Sequence, residues 1–578
     1  MMDRSSKMQG ALIVCAAASF AVALWDLAFG GFHFQIASVR VSSWEAFKPF
    51  RVGAICTAAA VWLHDRGTPN TAAWTRSARW TVAPAAAASL AVVVLTIPFG
   101  SFVAGGSDAY GYVSQAYLWA SGHLVSHEPF TRFATLVGPA VAPLGYVVGH
   151  SDALVPTYPP GLPLAMALAT KVGGPRALYV VVPLLSGLAV WLTYVLGAQV
   201  GGRGIGMIAS VLFAFSPIFL NQAFAPMSDV PATAWWLFAW VFALRPGVSS
   251  AFVAGIAASA AILTRPNLVP LAIVLALVVA IERSRGKRVI SFAAGLVPAC
   301  GIIAALNAYW YGSALRSGYG SPRELYAWSN GAANLRNYTA WLVELHSPGI
   351  LIACLAPFML RSKATAAMSA FIAVVLFSYL FYFVYDTWSF VRFLLPAIPL
   401  LFILLAAVMV TALERIPIAM RRACVVLLCL LAPCWFLIRA ERLMVFDNRR
   451  AEYRQVAVGE FVKSRLPANA VVMTVSESGS VRLYGARPTL RWDVIEPSRF
   501  EQVVEVMRTH GYAAYILLES SEENQFRATF AESSVLGRLD WPALIQYHGP
   551  TDVRVWAVDD RMRYVGGHRW LPEVVPPE

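Results

Sequence analysis

Long apolar stretches recur through the first three quarters of the chain, and they limit its fold more than any other feature. A bilayer core of about 30 Å needs about 20 apolar residues per helix, and fewer where neighbouring helices shield it. By this measure the sequence predicts thirteen transmembrane helices near residues 10–30, 50–64, 80–103, 177–198, 204–221, 230–244, 250–266, 268–281, 289–311, 347–360, 366–385, 393–413 and 423–438. The composition agrees, because 58% of the residues are hydrophobic and only 13% are charged. We therefore expect an all-α polytopic membrane protein.

Charge divides the chain at about residue 440. Residues 1–440 contain 28 of the 45 basic residues and 13 of the 32 acidic ones, whereas the remaining 138 residues contain 17 and 19. Cytoplasmic loops and lipid headgroups account for a basic excess in a membrane domain, so we expect no nucleic-acid partner. The seven cysteines all fall in apolar segments and predict neither disulfides nor a metal site.

Short basic loops set the orientation. The stretches "RSK", "ERSRGKR" and "ERIPIAMRR" mark three cytoplasmic loops, and the charged N-terminus is read as cytoplasmic before a retained first helix. An odd number of spans then places residues 441–578 outside. We expect a multi-pass protein of the bacterial inner membrane with a periplasmic C-terminal domain and two long outer loops, 104–176 and 312–346.

The C-terminal segment has shorter apolar runs and alternating charges. "EYRQVAVGEFVKSRL" and "SRFEQVVEVMRTHG" predict helices, and "AVVMTV", "YAAYILL" and "VRVWAV" predict strands. These elements indicate a small extracytoplasmic α/β domain. No motif in it identifies a phosphate loop, a metal cluster or a nucleophile.

The few acidic residues of the membrane domain lie mostly on the predicted outer side. An ion-coupled transporter keeps ionisable residues near the bilayer midplane, on discontinuous helices. Here they concentrate at outer helix ends and in the outer loops, which suits chemistry on a substrate that is partly in lipid. The eight candidates are Glu45, Asp108, Glu128, Asp152, Asp229, Glu324, Glu344 and Asp386.

Basic residues on the same side are candidates for binding a phosphate. Arg265 in "AILTRPNL" and Arg392 in "DTWSFVRFLLP" lie at predicted outer helix ends, and Arg316 lies in the second outer loop. Each could equally be an interfacial residue that extends its charge into water. A bound phosphate would need one or two of them, because charge-assisted hydrogen bonds are the strong ones. The loop that carries Arg316 is long enough to close over a substrate.

The segment "GGSDAYGYVSQAYLWASG" is expected to form a helix capped by Ser107 and ended by Gly122. Helical spacing places Asp108, Tyr112, Gln115 and Trp119 along one face. Tyr112 and Trp119 are candidates for stacking on a sugar or a prenyl chain, or for interfacial aromatics. Tyr158, in the rigid segment "YPPGLP", is a weaker candidate for substrate binding.

Five motifs together resemble membrane glycosyltransferases of the GT-C fold. They are "SDAYGY", "PTYPPGLPLAMALATKVGG", "SPIFLNQAFAPMSDVPA", "LTRPNLVPLA" and "SFVRFLLPAIPLL", in this order between residues 80 and 440. Within this group the chain is most similar to the protein mannosyltransferase and aminoarabinose transferase branch, glycosyltransferase family 39. Where several relatives have a second acidic residue and basic phosphate contacts, this chain has Ala109, Gly111 and Pro159. Arg265 and Arg392 are the replacement candidates for those contacts.

The resemblance implies an inverting transfer of a sugar from a polyprenyl-phosphate donor to a hydroxyl acceptor on the outer face. It makes Asp108 the essential loop aspartate, and a positioned carboxylate can take the proton of an attacking hydroxyl. It gives Asp229 the position of a second carboxylate and allows a divalent metal ion there with Asp108. The sugar stays open, and the acceptor is a lipid, a polysaccharide or a protein. A transporter or flippase of lipid-linked sugars is the main alternative, and a scaffold that recruits envelope enzymes is a third.

Overall fold

The computed structural model describes residues 79–575 except 151–152, 282–284, 321 and 414–417. Before residue 79 it describes isolated positions and one antiparallel hairpin, β1 (Phe32–Ile36) with β2 (Val39–Ser43). The predicted spans 10–30 and 50–64 therefore lie largely outside the described residues, and Glu45 and Asp152 lie outside them entirely.

Helices dominate the chain up to residue 442. They are α1 (Val82–Phe99), α2 (Asp108–Ala120), α3 (Ala134–Val137), α4 (Gly161–Gly173), α5 (Val181–Gly201), α6 (Arg203–Ala214), α7 (Pro217–Ala223), α8 (Asp229–Ala243), α9 (Val248–Thr264), α10 (Leu271–Val279), α11 (Arg285–Tyr311), α12 (Pro322–Leu325), α13 (Asn330–His346), α14 (Ala356–Met359), α15 (Lys363–Leu380), α16 (Ile398–Leu413) and α17 (Ile418–Arg442). A short hairpin, β3 (Tyr146–Val148) with β4 (Leu154–Pro156), lies in the first long loop. The prediction of a mostly helical membrane part is confirmed.

Eleven of the thirteen predicted spans fall within the described residues, and their helices differ in length. Within the described residues, six helices pass by length and composition, or eight if each of two bent pairs forms one span. The predicted spans 230–244, 250–266 and 268–281 correspond to α8, α9 and α10, which have 15, 17 and 9 residues. At about 1.5 Å per residue each is shorter than the hydrocarbon core. The count of thirteen stays a prediction, because two of the predicted spans lie largely outside the described residues and three correspond to short helices.

The two bent pairs break at Ser-Pro sequences. α6 and α7 meet at 64° across Ser216 and Pro217, and α13 meets the segment Pro348–Met359 at 110° across Ser347 and Pro348. Proline lacks the backbone N–H that continues a helix and disfavours helical geometry in the preceding residue. Each break therefore follows from local sequence.

The C-terminal part consists of helices around one mixed sheet. Its elements are α18 (Asn448–Arg465), β5 (Ala470–Met473), α19 (Ser478–Leu483), β6 (Thr489–Leu490), α20 (Phe500–Thr509), β7 (Ala513–Glu519), α21 (Ser520–Phe530), β8 (Ile545–Tyr547), β9 (Val553–Ala557), α22 (Asp560–Val565) and β10 (Glu573–Val575). The sheet order is β10-β8-β9-β7-β5-β6. The predicted α18, β5, α20, β7 and β9 are confirmed, with ends shifted by a few residues.

The order of the parallel strands reverses at β5, which has β6 on one side and β7 on the other. The chain leaves β5 for β6 on one side and returns through α20 to β7 on the other, and β5 is parallel to both. In open α/β sheets the carboxyl ends of the strands at such a point form a crevice. Here that edge carries residues 474–480 after β5 and Glu519 at the end of β7.

The first long loop is built into the core of the C-terminal part. Phe130, Phe133 and Val141 belong to one hydrophobic cluster with Met473 of β5 and Trp492. Backbone groups of the loop also bond across, since Arg491 N–H donates to Ala140 O (2.8 Å). The first long loop and the sheet therefore share a core. That residues 441–578 form a separate domain stays a prediction.

The same edge of the sheet contacts the start of α2. Ala104 N–H donates to the Tyr484 hydroxyl (2.9 Å), and Leu144 N–H donates to Ser478 Oγ (3.1 Å). Arg482 forms an ion pair with Glu128 of the loop. These contacts tie the first long loop to α19, and the segment before Asp108 to Tyr484 just after it.

A glycine permits the closest of these approaches. The ring of Tyr110 in α2 lies directly over Gly479 of α19, where a Cβ atom would overlap it. Any side chain at this position requires α19 and α2 to separate.

Gly479→Ala should therefore loosen this contact. Overpacking of this kind costs about 1–3 kcal/mol, so we expect a lower midpoint of thermal unfolding by intrinsic fluorescence. Gly301→Ala is the control, because no atom lies within 4 Å of a Cβ there. Adding Tyr110→Leu to Gly479→Ala should restore part of the loss. An unchanged midpoint in Gly479→Ala would contradict the contact.

A buried acidic cluster lies at this edge of the sheet. Glu477 is fully buried and accepts a hydrogen bond from Ser480, and Arg454 lies between Glu477 (3.4 Å) and Glu519 (2.9 Å). Burial raises the pKa of Glu477 to about 8, although the nearby Arg454 opposes the shift. At neutral pH the folded protein therefore keeps a proton on Glu477. The unfolded chain, in which this carboxyl has its ordinary pKa of 4.5, has already lost that proton.

This shift predicts a pH-dependent stability. Because the folded-state pKa is raised, the stability present below pH 4.5 is lost as the pH rises towards 8. Glu477→Gln keeps an acceptor for Ser480 and removes the titration, so its unfolding midpoint should fall less between pH 5.5 and 8.5. Glu505→Gln on the exposed face of α20 serves as the control and should behave like the wild type. Parallel pH profiles for all three proteins would count against the shift.

Candidate active site

Two Ser-Asp pairs stand at the starts of α2 and α8. Asp108 is the first residue of α2 after Ser107, and Asp229 is the first residue of α8 after Ser228. A helix N-terminus favours a negative charge, so both carboxylates lie where the helix dipole attracts them. Ser107 occupies the predicted N-cap position of α2, but its side chain makes no cap hydrogen bond. It contacts the Tyr158 hydroxyl instead, at 2.7 Å.

Asp108 is held by two partners, one on each carboxylate oxygen. Its Oδ2 lies 2.9 Å from Arg392 Nη1, and its Oδ1 accepts a hydrogen bond of 2.5 Å from the Tyr158 hydroxyl. Since that hydroxyl gives its one proton to Asp108, Ser107 must donate to the Tyr158 oxygen. The Asp108 side chain is 29% exposed and that of Arg392 is 17% exposed, so this pair is open to solvent.

Asp229 forms a second ion pair that is closed to solvent. Its Oδ1 lies 2.9 Å from Arg265 Nη2, and the side chains are 0% and 12% exposed. Arg265 also donates from Nε to Ser228 Oγ (3.2 Å) and from Nη1 to the Tyr379 hydroxyl (3.2 Å). Asn267 donates to the same hydroxyl at 2.8 Å. Arg265 thus uses all three of its nitrogen atoms within the protein.

Aromatic residues and a serine join the two ion pairs. The Tyr112 hydroxyl donates to Ser228 Oγ (2.8 Å), and the rings of Tyr112 and Tyr158 lie 4.8 Å apart. Both guanidinium groups lie near the ring of Phe393, at 5.5 Å for Arg265 and 5.3 Å for Arg392. The two aspartates and two arginines therefore belong to one network.

The structure brings most of the predicted site residues together. Asp108, Arg265, Arg392, Tyr158 and Asp229 all lie in this network, and Tyr112 connects its halves. The rings of both tyrosines are buried and their hydroxyls bond to protein groups, so substrate binding by either tyrosine stays a prediction. Burial and the charge of Asp108 raise the pKa of Tyr158 well above its usual value, so its hydroxyl stays a donor.

Trp119 and Arg316 lie elsewhere. Trp119 is eleven residues along α2 from Asp108, about 16 Å at the helical rise, and its ring packs against Trp310 at 6.1 Å. Arg316 is exposed on the second outer loop. That loop reaches the network through Tyr319, whose ring lies 5.9 Å from that of Tyr158. Among the described contacts, neither predicted residue touches the two aspartates.

Sequence reasoning missed four residues of the network. Ser228 and Asn267 lie next to singled-out residues, one before Asp229 and two after Arg265. Tyr379 and Phe393 belong to the aromatic-rich region that leads to Arg392. A polar residue next to a rare charged residue could have been predicted as its partner. The aromatic partners could not, because this region contains many aromatic residues.

The two aspartates do not present a metal site. Within the part of the chain that the structure describes, no group of three or more His, Cys, Asp or Glu side chains could hold a metal ion. Each carboxylate of the pair already faces a guanidinium, at 2.9 Å. The donor set therefore fits two arginine ion pairs better than a divalent ion, and metal dependence stays a prediction.

Comparison with solved structures identifies the architecture. ArnT from Cupriavidus metallidurans bound to undecaprenyl phosphate superposes with a TM-score of 0.53 at 11% identity, covering 83% of this chain and 98% of that one. The apo oligosaccharyltransferase of Archaeoglobus fulgidus gives 0.51 at 13% identity, covering 82% and 74%. These are glycosyltransferases of one fold. The chain has the GT-C fold. The resemblance stated from the motifs is confirmed at the level of the fold.

A third GT-C structure is that of AglB from Archaeoglobus fulgidus in complex with an inhibitory peptide and a dolichol-phosphate. It superposes with a TM-score of 0.50 at 14% identity, covering 82% of this chain and 74% of that one. No family model matches the sequence, and no curated protein matches it either. The likeness is therefore one of architecture.

The two ion pairs predict different costs of neutralising an aspartate. Asp229→Asn leaves Arg265 buried without its counter-ion, and losing one partner of a buried pair costs about 3–5 kcal/mol. Asp108→Asn affects a partly exposed pair and should cost about 1 kcal/mol or less. Thermal unfolding of both variants in the same membrane mimetic measures the difference. Equal losses would contradict the contrast between a closed and an open pair.

Proposed function

We propose that the protein transfers a sugar from a polyprenyl-phosphate donor to a hydroxyl acceptor on the outer face of the bacterial inner membrane, with inversion. One observation carries the proposal: a solvent-accessible carboxylate, Asp108, lies between a tyrosine hydroxyl and an arginine in a GT-C fold. Two structural neighbours were solved with a polyprenyl or dolichol phosphate, which supports a lipid-linked donor.

The reaction needs a base and a group that holds the leaving phosphate. The acceptor oxygen attacks the anomeric carbon, the bond from that carbon to the phosphate oxygen breaks, and the acceptor proton goes to Asp108. Arg392 holds the phosphate and stabilises the charge that develops on it. Phosphate leaves readily, so the reaction requires little help from a general acid.

The environment of the second carboxylate supports a single displacement. A retaining mechanism would need a nucleophilic carboxylate at the anomeric carbon. Asp229 is fully buried and bound to Arg265, so it is poorly placed for that role. A single accessible carboxylate suits one direct attack, and one direct attack inverts the anomeric centre.

The lipid side of the site suits a membrane-bound donor. Asp108 starts a helix that follows α1, one of the helices long enough to cross the bilayer. Arg392 lies in the segment Trp388–Leu413, another such helix with a 3-10 start. A donor whose phosphate lies between them would keep its prenyl chain in lipid and its sugar in water.

A transfer assay tests the proposal. Purified protein in lipid nanodiscs is incubated with radiolabelled polyprenyl-phosphate mannose, pentose or amino sugar and with lipid, polysaccharide or protein acceptors. We expect transfer by the wild type and a loss of about 10²–10⁴-fold in Asp108→Asn, the usual contribution of a general base.

Glu344→Gln is the matched control, because Glu344 also pairs with an arginine, Arg439 at 2.5 Å, outside the network. It should retain transfer. If the wild type transferred no sugar from any of these donors, or if Asp108→Asn kept the full rate, the proposed reaction would be refuted. Translocation of the donor without transfer would indicate a flippase instead.

A further inference from the structure

The two arginines of the network differ in how many of their donors are occupied. All three nitrogen atoms of Arg265 have partners in Ser228, Tyr379 and Asp229. Arg392 bonds to Asp108 through Nη1, whereas its Nε is buried and makes no hydrogen bond. A guanidinium has five N–H groups, so Arg392 keeps donors for a further anion. Of the pair, Arg392 has more N–H groups without a protein partner, and its side chain is the more exposed.

The surroundings of Arg392 favour movement between two anions. Its charge is flanked by the rings of Phe390 and Phe393, each 5.3 Å away, which can support a guanidinium in more than one orientation. Its pair with Asp108 is exposed to 17% and 29%, whereas the Arg265 pair is exposed to 12% and 0%. An ion pair that solvent reaches is weakly held and can exchange.

Charge balance favours the exchange. The two aspartates and two arginines of the network sum to zero, so the site has no excess positive charge for a phosphodiester. A donor phosphate that binds the free N–H groups of Arg392 therefore competes with Asp108 for the charge of the same guanidinium. Asp229 cannot serve as the displaced partner, because it is closed to solvent.

We propose that the donor phosphate displaces Asp108 from Arg392, so that donor binding itself exposes the base. This inference rests on the proposed function. Tyr158 keeps its hydrogen bond to Oδ1 and holds the carboxylate in place, while Oδ2 loses its cation and faces the acceptor. Tyr158 is then a positioning residue, and Arg392 is the residue that exchanges partners.

The step balances in atoms and charge. The acceptor oxygen bonds to the anomeric carbon, its proton passes to Asp108 Oδ2, and the electron pair of the broken bond stays on the phosphate. The product phosphate, with one more negative charge, remains on Arg392. When it leaves, Arg392 returns to Asp108, whose proton passes to water. Without donor the base stays paired, so donor must bind before acceptor reacts.

A binding measurement without any sugar tests the exchange. Undecaprenyl phosphate is titrated into the protein in nanodiscs, and its affinity is measured for the wild type, Asp108→Asn, Arg392→Ala and the double variant. Removing the competing anion should tighten binding about two- to tenfold in Asp108→Asn. Arg392→Ala should weaken it about tenfold or more.

The double variant separates competition from general electrostatics. If Asp108 acts by occupying Arg392, Asp108→Asn changes nothing once Arg392 is alanine. If it merely repels the phosphate, the same tightening appears in both backgrounds, and the exchange is wrong. Glu344→Gln, which neutralises a carboxylate paired with Arg439, should bind like the wild type.

The outcome is independent of the transfer assay. Tighter binding by Asp108→Asn without sugar transfer from any donor would support the exchange and refute the proposed reaction. Transfer by the wild type together with unchanged or weaker binding by Asp108→Asn would leave the reaction in place and refute the exchange. Tyr158→Phe adds a check, since a positioning role predicts a lower kcat with nearly unchanged phosphate affinity.

Discussion

Pairing of charge is the constraint on which this site depends. A carboxylate or guanidinium removed from water is costly unless an opposite charge and hydrogen bonds compensate it. The protein meets this requirement twice, with Asp229 and Arg265 in a closed pair and Asp108 and Arg392 in an open one. The closed pair is held in one arrangement within the bundle. The open pair is the part that can change partners.

The C-terminal part also holds the chain around Asp108 of the open pair in place. The crevice at the carboxyl ends of β5 and β7 is where many α/β domains bind a ligand. In this protein the residues after β5 hold both sides of Asp108: Tyr484 bonds to Ala104 before it, and Gly479 contacts Tyr110 after it. The sheet also takes part of its core from the loop around Phe130 and Phe133. The loop with the candidate base is therefore fixed from both sides.

Because charged residues are rare in the membrane part, the residues at the centre of the site could be predicted from the sequence. In a segment with so few carboxylates and arginines, each one had to be solvated, paired or functional, and this pointed to Asp108, Arg265 and Arg392. What sequence could not supply was pairing in space, such as Tyr112 with Ser228 or Arg265 with Tyr379. Helical periodicity likewise placed Trp119 on the correct face but said nothing of its distance from Asp108. Apolar composition also does not separate a long helix from two short ones, such as α6 and α7.

The two Ser-Asp pairs show how identical local sequence acquires different chemistry. Each aspartate begins a helix after a serine, and each meets an arginine at 2.9 Å. The difference comes from the second partner: Ser228 accepts from both Tyr112 and Arg265, while Ser107 supports Tyr158, which donates to Asp108. In one case the serine strengthens the hold on the arginine, and in the other it strengthens the hold on the carboxylate. An arginine held only by its aspartate can leave, and a carboxylate held by a tyrosine stays in position when it does.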